Sequence, residues 1–171
     1  MDTENKHQIA LRKWIDAGLH IPEVAELNGD AGYIFNNMIA KYTLAADEYC
    51  ISERALEKLN KNKVNLKEIH FRRKFYGKDK PFIYEHSTPA TVIRDALLNS
   101  DKSNETIKRI LSEAGSVTMI LRDEDILLKK AGLNARMPEE WAMGDATNTR
   151  YKEAGIVISN IKLKVKGAIV R

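Results

Sequence analysis

The chain has 171 residues, 43% of them hydrophobic, enough to bury one globular core. Its net charge is +4, and Cys50 is the only cysteine, which excludes an internal disulfide and any zinc site built from two thiolates. No apolar run approaches the ~20 residues that cross a bilayer, and the polar opening MDTENKHQ has no apolar leader stretch, so a soluble, cytoplasmic chain with no membrane partner is expected.

In chain order, Ile9, Trp14 and Ile15 near helical spacing predict a first helix over residues 5 to 18, with Gly18 as its stop. Pro22 at a first helical position and Ile34, Met38, Ile39 and Tyr42 at helical spacing predict one or two further helices to about Tyr49, broken near Gly29 and Gly32. Ser52 caps a short helix through Leu59, and NKNK at 60–63 reads as a polar connector. Phe82, Ile83 and Tyr84 read as a strand, followed by a helix with Ser87 or Thr88 as N-cap and Pro89 at its first position. A helix over Asn104 to Ala114 ends at Gly115, SVTMIL supplies a second strand, and Asp123 caps a helix from about Glu124 to Ala131 that Gly132 closes. Pro138 opens a short helical piece, Thr147 to Ala154 forms another, and Ile161, Leu163 and Val165 alternate with Lys162, Lys164 and Lys166 in an amphipathic strand. The expectation is an α+β fold in a single domain, 1–171, with a helical part to about residue 62 and a small sheet with helices from about 78 to 171.

Charge is unevenly spread. Lys58 to Lys80 hold nine bases and two acids, a net +7, and Ser159 to Arg171 hold four bases and no acid, which leaves the remainder at −7. Such polarity suits a polyanion partner, DNA or RNA, though a solvated basic face reads the same way. Phe71, Phe75 and Tyr76 interleave with the bases and could stack on nucleobases or anchor the segment to the core. Arg72, Arg73, Lys74, His70 and Arg150 are the candidate nucleic-acid contacts. Arg150 could equally pair with Glu139, Glu140 or Asp145.

Between the two strands stand Glu85 and His86, an adjacent acid and base. A neutral imidazole can polarise water for attack while carboxylates hold a hard divalent cation, and Glu85, His86 and Asp125 could fill those roles. They could instead serve structure, pairing with an arginine and with backbone. The stretch EHSTP, with GSVTMILRDEDILL after it, resembles the HNH or ββα-metal nuclease superfamily, whose first strand typically ends in an Asp/Glu-His pair with a proline soon after. The resemblance spans about residues 81–131; Asp125 stands where a histidine is more usual. It implies an endonuclease in which His86 and Glu85 are catalytic and Glu85 and Asp125 bind a divalent cation such as Mg2+. The alternatives are a non-catalytic nucleic-acid-binding or regulatory protein using residues 58–80, and an interaction subunit whose terminal strand pairs with a second copy or a partner protein. Walker, Rossmann and serine-hydrolase signatures are absent from the sequence.

Overall fold

The computed structural model describes residues 4–25, 29–63 and 80–165. Their elements are α1 (Lys6–Leu19), α2 (Pro22–Ala25), α3 (Gly29–Leu44), β1 (Glu48–Ile51), α4 (Glu53–Lys61), β2 (Phe82–His86), α5 (Ala90–Leu98), α6 (Asn104–Ala114), β3 (Val117–Leu121), α7 (Arg122–Lys130), α8 (Thr149–Glu153) and β4 (Leu163–Lys164). The strands form a mixed sheet in the order β2-β3-β1-β4, with β1 and β3 parallel and the two outer pairs antiparallel. The class is α+β with a helical start, as the periodicities predict.

The core lies in three parts. One face of the sheet packs Tyr49, Ile51, Phe82, Met119 and Leu163 against Ala55 and Leu59 of α4. The other face packs Ile120 and Ile83 against Leu128, Leu133, Tyr151 and Ile156 from α7, α8 and their loops. The third part is helical, joining Ile15, Phe35, Ile39 and Tyr42 of α1 and α3 to Ile93, Leu97, Ile107 and Leu111 of α5 and α6. These stripes follow the 3.6-residue period that marked the helices in the sequence.

Local chemistry explains most boundaries and corrects several. The Asn5 side chain accepts from the His7 and Gln8 amides while Gln8 returns a bond to the Asn5 amide, a complete capping box for α1. Gly18 does not stop this helix. It is buried inside it, where a β-carbon would come within 3.0 Å of the Phe35 ring, so it permits close approach of α3. Helix α3 runs unbroken through Gly32, and Glu48–Ile51 is a central strand rather than the end of a helix. Four residues are too few for a period to show, and only pairing with β3 and β4 decides their state. The amide of Ala90 opens α5 after Pro89, and neither Ser87 nor Thr88 caps it; Ser87 Oγ bonds Thr118 Oγ1 instead.

Helix α6 has the expected bounds, with Ser103 as its cap. Gly115 ends it at φ −81°, so the need for glycine is steric: a β-carbon would meet the Leu111 carbonyl at 2.1 Å and the Tyr42 ring at 3.1 Å. Asp123 is not the cap of α7; it pairs with Arg54 at the surface, and Glu124 takes the capping role described below. After α7, Gly132 at φ 71° lets the Leu133 amide reach back to the Leu128 carbonyl and its own amide to Lys129, a Schellman closure. Pro138 opens a turn, not a helix. The terminal strand is two residues long; Leu163 and Val165 are buried as predicted, and Ile161 is exposed. No helix among the described residues is long and apolar enough to cross a membrane.

Candidate functional site

Strand β2 extends two residues beyond its apolar run, so Glu85 and His86 lie within it rather than after it. Successive strand residues face opposite ways. Phe82 and Tyr84 pack on the α4 side and Ile83 on the α7 side, so His86 and Glu85 divide between the two faces. Their partners bear this out.

Glu85 meets Arg150 of α8. The Arg150 side chain is fully buried, with Nη2 2.6 Å from Glu85 Oε1. The same nitrogen donates to the His86 carbonyl at 2.5 Å, and Nη1 donates to the carbonyls of Leu133 (2.7 Å) and Asn134 (3.4 Å). One guanidinium thus ties the end of β2 to the loop after α7, a use of its planar fork that lysine could not copy. Burial holds the Glu85 carboxyl above its ordinary range; the Arg150 charge and hydrogen bond offset only part of this, and the like charge of Asp125 adds to it. Arg150 is therefore no phosphate contact, and its acid partner is Glu85 rather than Glu139, Glu140 or Asp145.

His86 meets α3. Its Nδ1 lies 2.7 Å from Thr43 Oγ1, and that hydroxyl donates to the Ala40 carbonyl. With the hydroxyl proton directed to Ala40, Nδ1 carries the imidazole proton and Nε2 the lone pair. Burial, then the nearby charges of Arg150 and Lys41, push the imidazole down to about 4, so it is neutral at physiological pH.

A divalent cation needs its ligands to converge, and these do not. Glu85 is occupied by Arg150, Asp125 lies 2.6 Å from Lys129 one turn along α7, and His86 belongs to the opposite face. Among the described residues no three His, Cys, Asp or Glu gather as a metal site would require. The donor set does not fit the metal that the nuclease resemblance implies. Comparison with protein-family models, curated proteins and solved structures finds no match for this chain.

The candidate contacts His70, Arg72, Arg73 and Lys74, with Phe71, Phe75 and Tyr76, lie outside the described residues. What is described is the root of that segment. Lys58, Lys61 and Lys63 leave α4 exposed, Lys80 re-enters exposed, and Arg122 Nε holds the Lys80 carbonyl at 2.6 Å. Among the described residues none of these four lysines takes an ion-pair partner. Among the described residues, Arg54, Lys58, Lys61 and Glu57 line a groove of about 360 Å³ beside Leu121, where Arg54 is already paired with Asp123. A separate cleft of about 710 Å³, between the loop after α7 and α8, carries Glu139, Glu140, Asp145 and Glu153 against Arg136. The two share no lining residue.

Sequence reasoning passed over Glu124. It is buried, and its Oε2 accepts from Ser52 Oγ at 2.7 Å and from the Leu121 amide at 2.8 Å. Ser52 Oγ in turn accepts from the Ala55 amide, so one hydroxyl and one carboxylate cap α4 and α7 together. An acid at the third position of a helix is a capping-box signal, and RDED contained it.

Proposed function

We propose that this chain is a non-catalytic, cytoplasmic nucleic-acid-binding protein whose phosphate contacts include the exposed lysines of α4 and the basic residues that follow them in the sequence. The observation that carries the reading is the groove lined by Lys58 and Lys61, which open the segment 58–80 of net charge +7. Phosphates neutralised there release condensed counterions, the main source of affinity for a polyanion. The acid-rich cleft near α8 would repel the same ligand and so orient it. Glu85 and His86 then serve structure: one holds Arg150, the other Thr43. The phosphodiesterase expectation is set aside because its acid and base face different layers of the protein.

The test is binding of a fluorescent duplex and of a single strand of equal length, with and without Mg2+, by the full chain and by Lys58→Glu/Lys61→Glu. The reading expects binding that the double reversal weakens at least tenfold, and no cleavage in either case. Unchanged binding by the variant removes the groove from the account; Mg2+-dependent cleavage that His86→Ala abolishes restores the enzyme.

A further inference from the structure

We propose that Cys50 and Lys162 form an oxidative modification site, in which a peroxide joins the cysteine sulfur to the lysine nitrogen through a reversible covalent bond. The inference is independent of the nucleic-acid surface. Two observations place the pair. Lys162 Nζ donates to Cys50 Sγ at 2.8 Å, although the two stand 112 residues apart in the chain. The backbone brings them together separately: β1 and β4 pair Tyr49 with Leu163, and one step along that antiparallel register sets Lys162 opposite Cys50. Tyr49 and Leu163 are both buried in the core, so strand alternation turns Cys50 and Lys162 to the other face.

That face is open. Cys50 is half-buried, Lys162 is exposed, and both line a cleft of about 320 Å³. The cleft also carries Glu4, Asp47 and Glu48, yet among the described residues Lys162 pairs with no carboxylate, and its Nζ meets the sulfur instead. A thiol oxidised once becomes a sulfenic acid, which a second thiol or a nearby nitrogen then consumes. Cys50 has no second cysteine, and a nitrogen is in place. In the first step the Cys50 thiol and hydrogen peroxide give the sulfenic acid and water, the sulfur losing two electrons and the peroxide gaining them. In the second the unprotonated Lys162 amine attacks the sulfur, and hydroxide leaves and takes up the proton that the nitrogen releases. A sulfenamide and a second water result, and the chain is lighter by two hydrogens. The bond replaces an ammonium by a neutral nitrogen in the basic stretch Ser159 to Arg171. It also closes a long loop between β1 and β4, which fastens a strand only two residues long.

The test is intact mass and peptide mapping of the full chain after treatment with hydrogen peroxide, beside Lys162→Arg and Cys50→Ser. The parent is expected to lose two hydrogens and to yield one peptide that joins the Cys50 and Lys162 sequences, and dithiothreitol should reverse both. Lys162→Arg keeps the charge but offers a guanidinium that stays protonated, so its Cys50 should be trapped by dimedone as sulfenic acid and then pass to sulfinic acid. The oxidised parent should unfold at a higher urea midpoint than the reduced parent, a shift that both variants lack. Sulfinic acid forming as readily in the parent as in Lys162→Arg overturns the inference. So does a joined peptide that keeps the oxygen, a disulfide between two copies as the main product, or a Cys50 thiol that peroxide oxidises only in the urea-unfolded chain.

Discussion

Arg150 Nη2 stands 2.6 Å from Glu85 Oε1 with the guanidinium fully buried, and it closes the end of β2 against α8. A buried pair contributes little net stability compared with well-packed apolar side chains, but removing one member strands the other charge away from water. Glu85 and Arg150 are 65 residues apart in the chain, so the pair also staples the second half of the fold.

Arg150→Met should therefore destabilise by about 3–5 kcal/mol, since Glu85 loses its counter-charge and the Leu133, Asn134 and His86 carbonyls lose a donor. Glu85→Gln should cost less, because an amide oxygen still accepts from Arg150. In urea denaturation the double variant should cost clearly less than the sum of the singles. Strict additivity would mean that the two residues do not act as a pair.

His86 makes stability pH-dependent. Its folded value of about 4 lies below the usual 6.5, so between those values the unfolded chain takes up a proton that the folded chain refuses. The contribution is complete above pH 6.5 and is lost as pH falls toward 4, at most about 3 kcal/mol at 1.36 kcal/mol per pH unit. Glu85 acts the other way, since a raised carboxyl favours the folded state as pH falls. His86→Gln should flatten the decline of urea midpoint between pH 6.5 and 4. A decline as steep as in the parent chain would place its origin elsewhere.

Glu124→Ala should cost about 2–4 kcal/mol, because it leaves the Leu121 amide and the Ser52 hydroxyl buried without an acceptor. Ser52→Ala removes the cap on the Ala55 amide and should cost about 1–2 kcal/mol. Hydrogen exchange should quicken at the first turns of both α4 and α7 in either variant. Quickening confined to one helix would deny the shared cap.

Gly115→Ala is expected to destabilise by about 1–3 kcal/mol, as overpacking does, because its methyl would drive into the Leu111 carbonyl. Thermal melting checks this, and an unchanged midpoint would mean that the end of α6 yields freely.

Legibility followed the range of the forces involved. Helix α6 was readable because its apolar stripe and the Gly115 that ends it are local, and the Ser52 cap of α4 for the same reason. The length of β2 was not, since Glu85 and His86 carry no strand preference and are held there by pairing with Thr118 and Val117 of β3. Nor was the division of that acid and base between two faces, which follows once the strand includes them. The Arg150 to Glu85 pair depends on how α8 returns to the sheet, and no spacing in the sequence encodes that return. The α4 end of the basic surface was legible from charge alone, because exposed lysines obey no packing constraint.

The salt dependence of duplex affinity tests whether Lys58, Lys61 and Lys63 root a phosphate-binding surface, as proposed. Each phosphate contact on duplex DNA adds about 0.9 to the slope of log affinity against log salt. Replacing Lys58, Lys61 and Lys63 with alanine should lower that slope by about two to three, and replacing Arg72, Arg73 and Lys74 should lower it by about one to two. If both triple variants bind duplex and single strand with the parent slope and affinity, the basic run is a solvated face and the chain does not bind nucleic acid through it.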